Sequence, residues 1–139
     1  MGVVMDITYE GNLNCTATHG PSGMCLRTDA PVDNGGKGET FSPTDLVGTA
    51  LGTCIITIMG KMVERLGLDI AGTRLRVVKE MTTAPPRRIG RLEVNIDLPA
   101  GLVMTDDDKE KLEGAAQTCP VKLSLNPEIE LVIRINYSK

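Results

Sequence analysis

Short runs of alternating apolar and polar residues occupy both ends of the chain and predict β-strands. In the clearest run, Leu92, Val94, Ile96 and Leu98 alternate with polar neighbours, which indicates a sheet with one buried face. Turn signals rich in Gly and Asn separate the first three runs. The predicted strands cover residues 3–9, 12–19, 24–28, 72–81, 91–98 and 129–137.

Between the third and fourth strands the apolar spacing changes to three and four residues, which predicts a helix. Ser42 stands at the N-cap, Pro43 at the first helical position and Asp45 at the third, so a capping box is expected. Gly67 provides an end signal. The apolar face is wide, and we therefore predict a largely buried helix and not a membrane span. Its apolar positions are Leu46, Val47, Ala50, Leu51, Cys54, Ile55, Ile58, Met59, Met62 and Val63.

A second helix is predicted nearer the end of the chain. Thr105 and Asp108 repeat the capping-box pattern at its start. Pro120 is expected to end the helix or to kink it, because proline lacks the backbone N–H that helical bonding needs. The apolar positions expected on one face are Leu112, Ala115, Ala116 and Cys119.

The order of the predicted elements is three strands, a helix, two strands, a helix and a strand. This order favours an α+β fold with antiparallel sheets and the helices on one side. Residues 29–40 are rich in Pro, Asn and Gly and are predicted to form an irregular loop. A loop of this length is usually associated with function. With 139 residues the chain has the length of one domain, so a single domain over residues 1–139 is expected.

Composition excludes some classes of function. The formal net charge of −3 and the scarcity of aromatic residues argue against binding to nucleic acid, which needs cations and stacking rings. The first ten residues lack the basic start of a signal peptide. With no membrane span predicted either, we expect a cytoplasmic protein.

The four cysteines are the candidate chemical groups. They include no CxxC pair and the chain has one histidine, so no zinc site is expected, and structural or redox-active thiols remain. Cys54 and Cys119 fall on the apolar faces of the two predicted helices, which would bring them close if both helices pack on one sheet face. A disulfide would need their Cα atoms within about 7 Å, which spacing alone leaves open. Cys15 and Cys25 are interpreted as bystanders.

Two segments resemble the OsmC/Ohr family of osmotically inducible and organic hydroperoxide resistance proteins. They are SPTDLVGTALGTC and AAQTCPVKLSLNPEIEL, whose cysteines are 65 residues apart, and the resemblance extends over nearly the whole chain. It implies an OsmC-like fold in an intertwined homodimer with its sites at the interface. It also implies that Cys54 attacks an organic hydroperoxide and becomes a sulfenic acid, which Cys119 resolves as a disulfide. The implied reductant is a dithiol of the lipoyl type, carried by a lipoylated protein, and neither a metal nor a flavin cofactor is implied.

The sequence also departs from the family pattern. The glutamate that members carry ten residues before the reactive cysteine is Thr44 here, whereas Asp45, nine residues before, is similar to the acid of another branch. Asp45 is therefore a catalytic candidate, and equally an ordinary helix cap. An apolar helix face disfavours the reactive thiolate, so a cation is expected beside Cys54, but the family's arginine is missing from the loop. The candidate cations are Arg27, Lys37, Arg87, Arg88 and Arg91.

These departures keep a second interpretation open. A non-enzymatic OsmC-like protein could use a pocket at the dimer interface to bind a small apolar ligand. The two interpretations differ in what happens to Cys54 and Cys119 when a hydroperoxide is added, because the peroxidase reaction forms a disulfide from the two thiols, whereas ligand binding does not require any change in them.

Overall fold

The computed structural model describes residues 1–137, which divide into two compact units. The first unit is Met1–Val47, and the second begins at Gly48. The boundary falls within the first long helix, α1, which spans Pro43–Arg65. The single domain over residues 1–139 stays a prediction, and its last two residues lie outside the described part.

The first unit contains an antiparallel three-stranded sheet. Its strands are β1 (Met5–Gly11), β2 (Asn14–His19) and β3 (Cys25–Asp29), paired in that order. Short turns join consecutive strands, as expected for a meander. The loop that follows β3 is irregular except for one short 3-10 turn at Val32–Asn34. The strand pattern of the sequence therefore predicted this unit closely.

The second unit contains a mixed three-stranded sheet, which corrects one prediction. Its strands are β4 (Arg74–Met81), β5 (Ile89–Asp97) and β6 (Glu130–Asn136), again paired in chain order. β4 and β5 are antiparallel, whereas β5 and β6 are parallel. Two helices lie in the chain between β5 and β6, and such a long connection can return to the starting edge and so allow parallel pairing. The α+β class with two main helices is confirmed, but the sheets are not wholly antiparallel.

The core of the second unit lies between this sheet and the helices. α1 approaches β4 closely because Gly48 and Gly52 face the sheet: a Cβ atom added at Gly52 would lie 2.8 Å from Cγ2 of Val77. The helix α2 (Asp106–Ala116) buries Leu112 in the same core. The largest fully buried apolar side chains are Leu51, Ile55, Met59, Val63, Leu92, Val94, Ile96 and Leu112.

The buried face of α1 is narrower than the sequence predicts. Within the chain, only one stripe of the helix is buried, while Thr49, Thr53 and Thr57 are exposed on another side. The Thr53 and Thr57 hydroxyls donate to backbone carbonyls one turn earlier, so the hydrogen-bond donors of these two side chains are satisfied within the helix. In the described part of the chain, α1 alone is long and apolar enough to cross a membrane, a test that core helices of soluble proteins also pass.

Candidate functional site

α1 begins with the predicted capping box. The backbone N–H of Asp45 donates to Ser42 Oγ at 3.1 Å, and the backbone N–H of Ser42 donates to Asp45 Oδ2 at 2.8 Å. Both donors would otherwise lack an intrahelical partner. Asp45 therefore caps the helix, and a catalytic role for its carboxylate stays a prediction. Asp45 belongs to the first unit, and the two thiols described next belong to the second.

Cys54 lies in the middle of α1, where the helix packs in the second unit. Its neighbours in the chain, Ile55 and Leu51, are fully buried, but Cys54 itself is half-buried. Cys54 thus lies at the margin of the core of the second unit.

Cys119 occupies a different position from the one predicted. α2 ends at Ala116, and a short third helix, α3, spans Pro120–Ser124, so Cys119 is the N-cap of α3 and not a residue on the face of α2. Pro120 begins a helix where it was expected to end one, because proline suits the first helical position, where no N–H is needed. The Cys-Pro pair itself was the available signal for this start. Cys119 is fully buried, and Lys122 N–H donates to its Sγ at 3.5 Å.

The two thiols lie close enough to each other to interact. Burial raises the pKa of Cys119 above its usual value, the interaction with Cys54 raises this pKa further, and backbone N–H groups of Lys122 and Val121 oppose the shift. The structure therefore brings Cys54 and Cys119 together, both as free thiols.

Two of the arginines that were candidates for activating Cys54, Arg88 and Arg91, have acidic partners. Arg88 pairs with Glu128 at 3.4 Å, and Arg91 pairs with Glu93 at 2.6 Å and with Glu130 at 3.5 Å. Arg87 also has an interaction of its own. The other candidates, Arg27 and Lys37, belong to the first unit. Which cation serves Cys54 stays a prediction.

Cys15 and Cys25 lie in the first sheet and point to opposite faces of it. Cys15 pairs across the ladder with Thr28, and Cys25 pairs with Thr18. Thr28 and Cys25 are three residues apart on β3, so they and their partners project on opposite sides. Cys25 Sγ lies 3.3 Å from Thr18 Oγ1. These two thiols therefore cannot join without breaking the sheet.

The described residues contain no group of three or more His, Cys, Asp or Glu side chains that could hold a metal ion. The chemistry that the site itself offers is the oxidation of two adjacent thiols. One cysteine is half-buried and the other is fully buried, so the two thiols are inequivalent before any oxidant arrives. Such a pair can give up two electrons and form one disulfide.

Comparison with known proteins identifies the family and the fold. A model of the OsmC-like protein family matches residues 36–134. A Psychrobacter arcticus protein of solved structure, provisionally described as an osmotic stress induced and detoxification response protein, is 39% identical to this chain. The match covers 98% of each chain with a TM-score of 0.89. No curated protein matches the sequence.

Two structures at lower identity share the fold. The organic hydroperoxide resistance protein OsmC of Legionella pneumophila is 11% identical over 98% of this chain and 97% of its own, with a TM-score of 0.76. The organic hydroperoxide resistance protein OhrB of Bacillus subtilis is 11% identical over 98% of each chain, with a TM-score of 0.71. At this identity the likeness concerns the fold alone.

Proposed function

Because the chain belongs to the family of OsmC-like proteins, we propose that it is a thiol-dependent peroxidase that reduces organic hydroperoxides. Cys54 is the attacking thiol and Cys119 the resolving thiol. The observation that carries the proposal is that the half-buried Cys54 and the fully buried Cys119 lie side by side.

The reaction balances in two steps on the protein. The Cys54 thiolate attacks the terminal oxygen of the hydroperoxide, the O–O bond breaks, and the alkoxide leaves and takes up a proton to become an alcohol. Cys54 then carries a sulfenic acid. Cys119 attacks the Cys54 sulfur, the S–S bond forms, and the Cys119 proton joins the departing hydroxide as water. Cys54 and Cys119 have together lost the two electrons that the peroxide gained.

The difference in burial supports this order of events. A hydroperoxide can reach Cys54, which is half-buried, but not Cys119, which is fully buried. The raised pKa of Cys119 keeps that thiol protonated and therefore a poor nucleophile until the sulfenic acid forms beside it. The resolving thiol is then already in contact with the sulfur it must attack.

We propose a dithiol as the reductant that regenerates the thiols, since one dithiol molecule supplies both electrons and both protons by forming its own disulfide. A lipoylated protein supplies such a dithiol, and we propose it as the partner. Asp45 is included in the proposal as a candidate catalytic acid, in addition to its observed role as a cap.

We also propose that the working protein is a homodimer. One face of the first sheet is apolar and uncovered within the chain: Met5, Ile7 and Tyr9 alternate along β1, are 60%, 68% and 64% exposed, and share this face with Leu26 of β3. A symmetric partner would bury such a face, and an obligate interface of this kind covers more than about 2,000 Å² in total. Ile7→Asp should therefore weaken self-association at least about tenfold, measured by light scattering. A monodisperse monomer of the wild type at micromolar concentration would contradict the dimer.

The peroxidase is tested by the intact mass of the reduced protein after one equivalent of cumene hydroperoxide. We expect a loss of two hydrogens, and peptide mapping should place the bridge between Cys54 and Cys119. The double variant Cys15→Ser/Cys25→Ser is the matched control and should give the same bridge. An unchanged mass, or a bridge to Cys15 or Cys25, would favour the alternative of an apolar-ligand binder.

Cys119→Ser separates the two roles. The sulfenic acid on Cys54 should persist in this variant, react with a dimedone-type reagent, and pass to sulfinic acid under excess peroxide. The wild type should resist that overoxidation because the disulfide forms first. Equal overoxidation of the two proteins would remove Cys119 from the mechanism.

A further inference from the structure

A groove between α1 and α2 in the second unit is not used by the thiol chemistry. Its α1 wall consists of Ile58, Lys61, Met62 and Arg65, which recur at the spacing of one helical face. Its facing wall repeats the same spacing, with Lys111, Gly114 and Ala115 on α2 and Thr118 in the turn that follows α2. The groove has a volume of about 360 Å³, which is within the range of small-molecule sites.

The rim of the groove is cationic although the chain is acidic. Three cations line it, whereas the whole chain has a formal net charge of −3. Lys111 pairs with Asp107 at 3.0 Å. Neither Lys61 nor Arg65 has an ion-pair partner within residues 1–137. These two side chains are four residues apart on α1, so their Cβ atoms are about 6 Å apart and one carboxylate can contact both.

The floor of the groove is apolar and open. Ile58 and Met62 are half-buried, and Ala115 is buried. A Cβ atom added at Gly114 would meet nothing within 4 Å, so the space beside Gly114 is unfilled. The groove thus combines an apolar trough with two unpaired cations at its edge.

We propose that this groove binds a single-chain molecule that carries one carboxylate. The carboxylate contacts Lys61 and Arg65, and the hydrocarbon chain lies on Ile58, Met62 and Ala115. Charge complementarity selects an anionic head group, and the narrow trough selects a linear chain over a protein surface. The groove starts one helical turn beyond Cys54, yet binding there needs no redox chemistry, so the inference stands apart from the proposed peroxidase.

The test uses reduced protein and decanoate below its micellar concentration, with binding measured by titration calorimetry. Decanol, which has the same chain without the charge, should bind at least about tenfold more weakly, since a desolvated charged contact is lost. Lys61→Gln/Arg65→Gln should lower the affinity for decanoate at least about tenfold and leave the affinity for decanol unchanged. Added salt should weaken decanoate more than decanol.

Two further variants test the location. Gly114→Leu places a side chain into the open trough and should remove binding of both ligands, whereas Glu110→Leu adds the same side chain to α2 outside the groove and should not. Melting curves check that each variant is folded. If Gly114→Leu does not fold, the variant Lys61→Gln/Arg65→Gln, which changes two exposed side chains, provides the test. Equal affinity for decanoate and decanol, or full affinity in folded Gly114→Leu, would overturn the proposal.

Discussion

Each of the two units of this chain contains two cysteines, but only one unit brings its pair together. In the first unit, Cys15 and Cys25 occupy neighbouring strands and project from opposite faces of the sheet. In the second unit, Cys54 and Cys119 are 65 residues apart in the chain and lie side by side in the fold. Nearness in sequence therefore did not decide which thiols meet. The packing of α1 against the turn before α3 brings Cys54 and Cys119 together.

The units differ in the same way in their apolar residues. The second unit buries many of its large aliphatic side chains completely, whereas the first unit leaves the apolar side chains of one sheet face exposed. An apolar sheet face is unfavourable in water unless another surface covers it, which agrees with the proposed homodimer. The second unit thus contains the closed core and the adjacent thiols, and the first unit contains the uncovered apolar face.

The largest effect is expected at the thiols. Cys54→Ser should reduce consumption of cumene hydroperoxide, with a dithiol as reductant, to the rate without protein, because no other reachable group in the site can attack the O–O bond. Cys15→Ser/Cys25→Ser should retain the wild-type rate. If the first-unit variant lost activity and Cys54→Ser kept it, the comparison between the units would be reversed.

The next largest effect concerns the core of the second unit. Leu92 is fully buried on β5 and lies against α1 at Gly48, so Leu92→Ala should lower the free energy of unfolding by about 2–5 kcal/mol. Leu123→Ala, the same change at a side chain 71% exposed on α3, should cost less than about 1 kcal/mol. Urea denaturation of both variants measures the difference. Equal costs would show that Leu92 does not belong to a close-packed core.

A smaller effect is expected at the start of α1. Asp45→Ala should lower the free energy of unfolding by about 0.5–2 kcal/mol through the lost cap. Asp45→Asn keeps an acceptor oxygen for the cap but removes the negative charge, so it separates the cap from catalysis. Full peroxidase turnover in Asp45→Asn would restrict Asp45 to a structural role, while loss of turnover with unchanged stability would support the catalytic assignment.

The smallest effect is expected on the outer face of the second sheet, which is polar where the first sheet is apolar. Hydrogen bonds from Asn95 and Arg91, with Arg134 nearby, lower the pKa of Glu93 to about 2. The folded-state pKa lies below the unfolded value, so the stabilisation is complete above about pH 4.5 and is lost as the pH falls through about 2. The stability difference between wild type and Glu93→Gln should shrink over that window.

Glu110→Gln is the control for this pH dependence. Glu110 is exposed on α2, outside the network around Glu93. Its replacement should leave the dependence of the free energy of unfolding on pH unchanged at acid pH. A constant difference between wild type and Glu93→Gln from pH 6 to pH 2 would show that the network does not contribute through ionisation of Glu93.

Local features of the fold could be predicted from the sequence. The boxes formed by Ser42 with Asp45 and by Thr105 with Asp108 are present as expected, because each joins residues three positions apart. The strand limits agree within about two residues with the alternation that predicted them, because the side chains of a strand must alternate between its faces. The family resemblance, carried by the two cysteine segments, is confirmed by the match over residues 36–134.

Features that depend on distant parts of the chain required the tertiary structure. The parallel pairing of β5 with β6, the contact of Cys54 with Cys119 and the groove beside Lys61 and Arg65 each join segments separated by dozens of residues. Pro120 shows the limit most clearly, since the same residue is compatible with ending one helix and with starting another. The alternation of strand residues and the helix caps are fixed by the geometry of a few consecutive residues. Strand pairing and side-chain burial depend instead on which surfaces of the whole chain pack together, and only the folded molecule determines this.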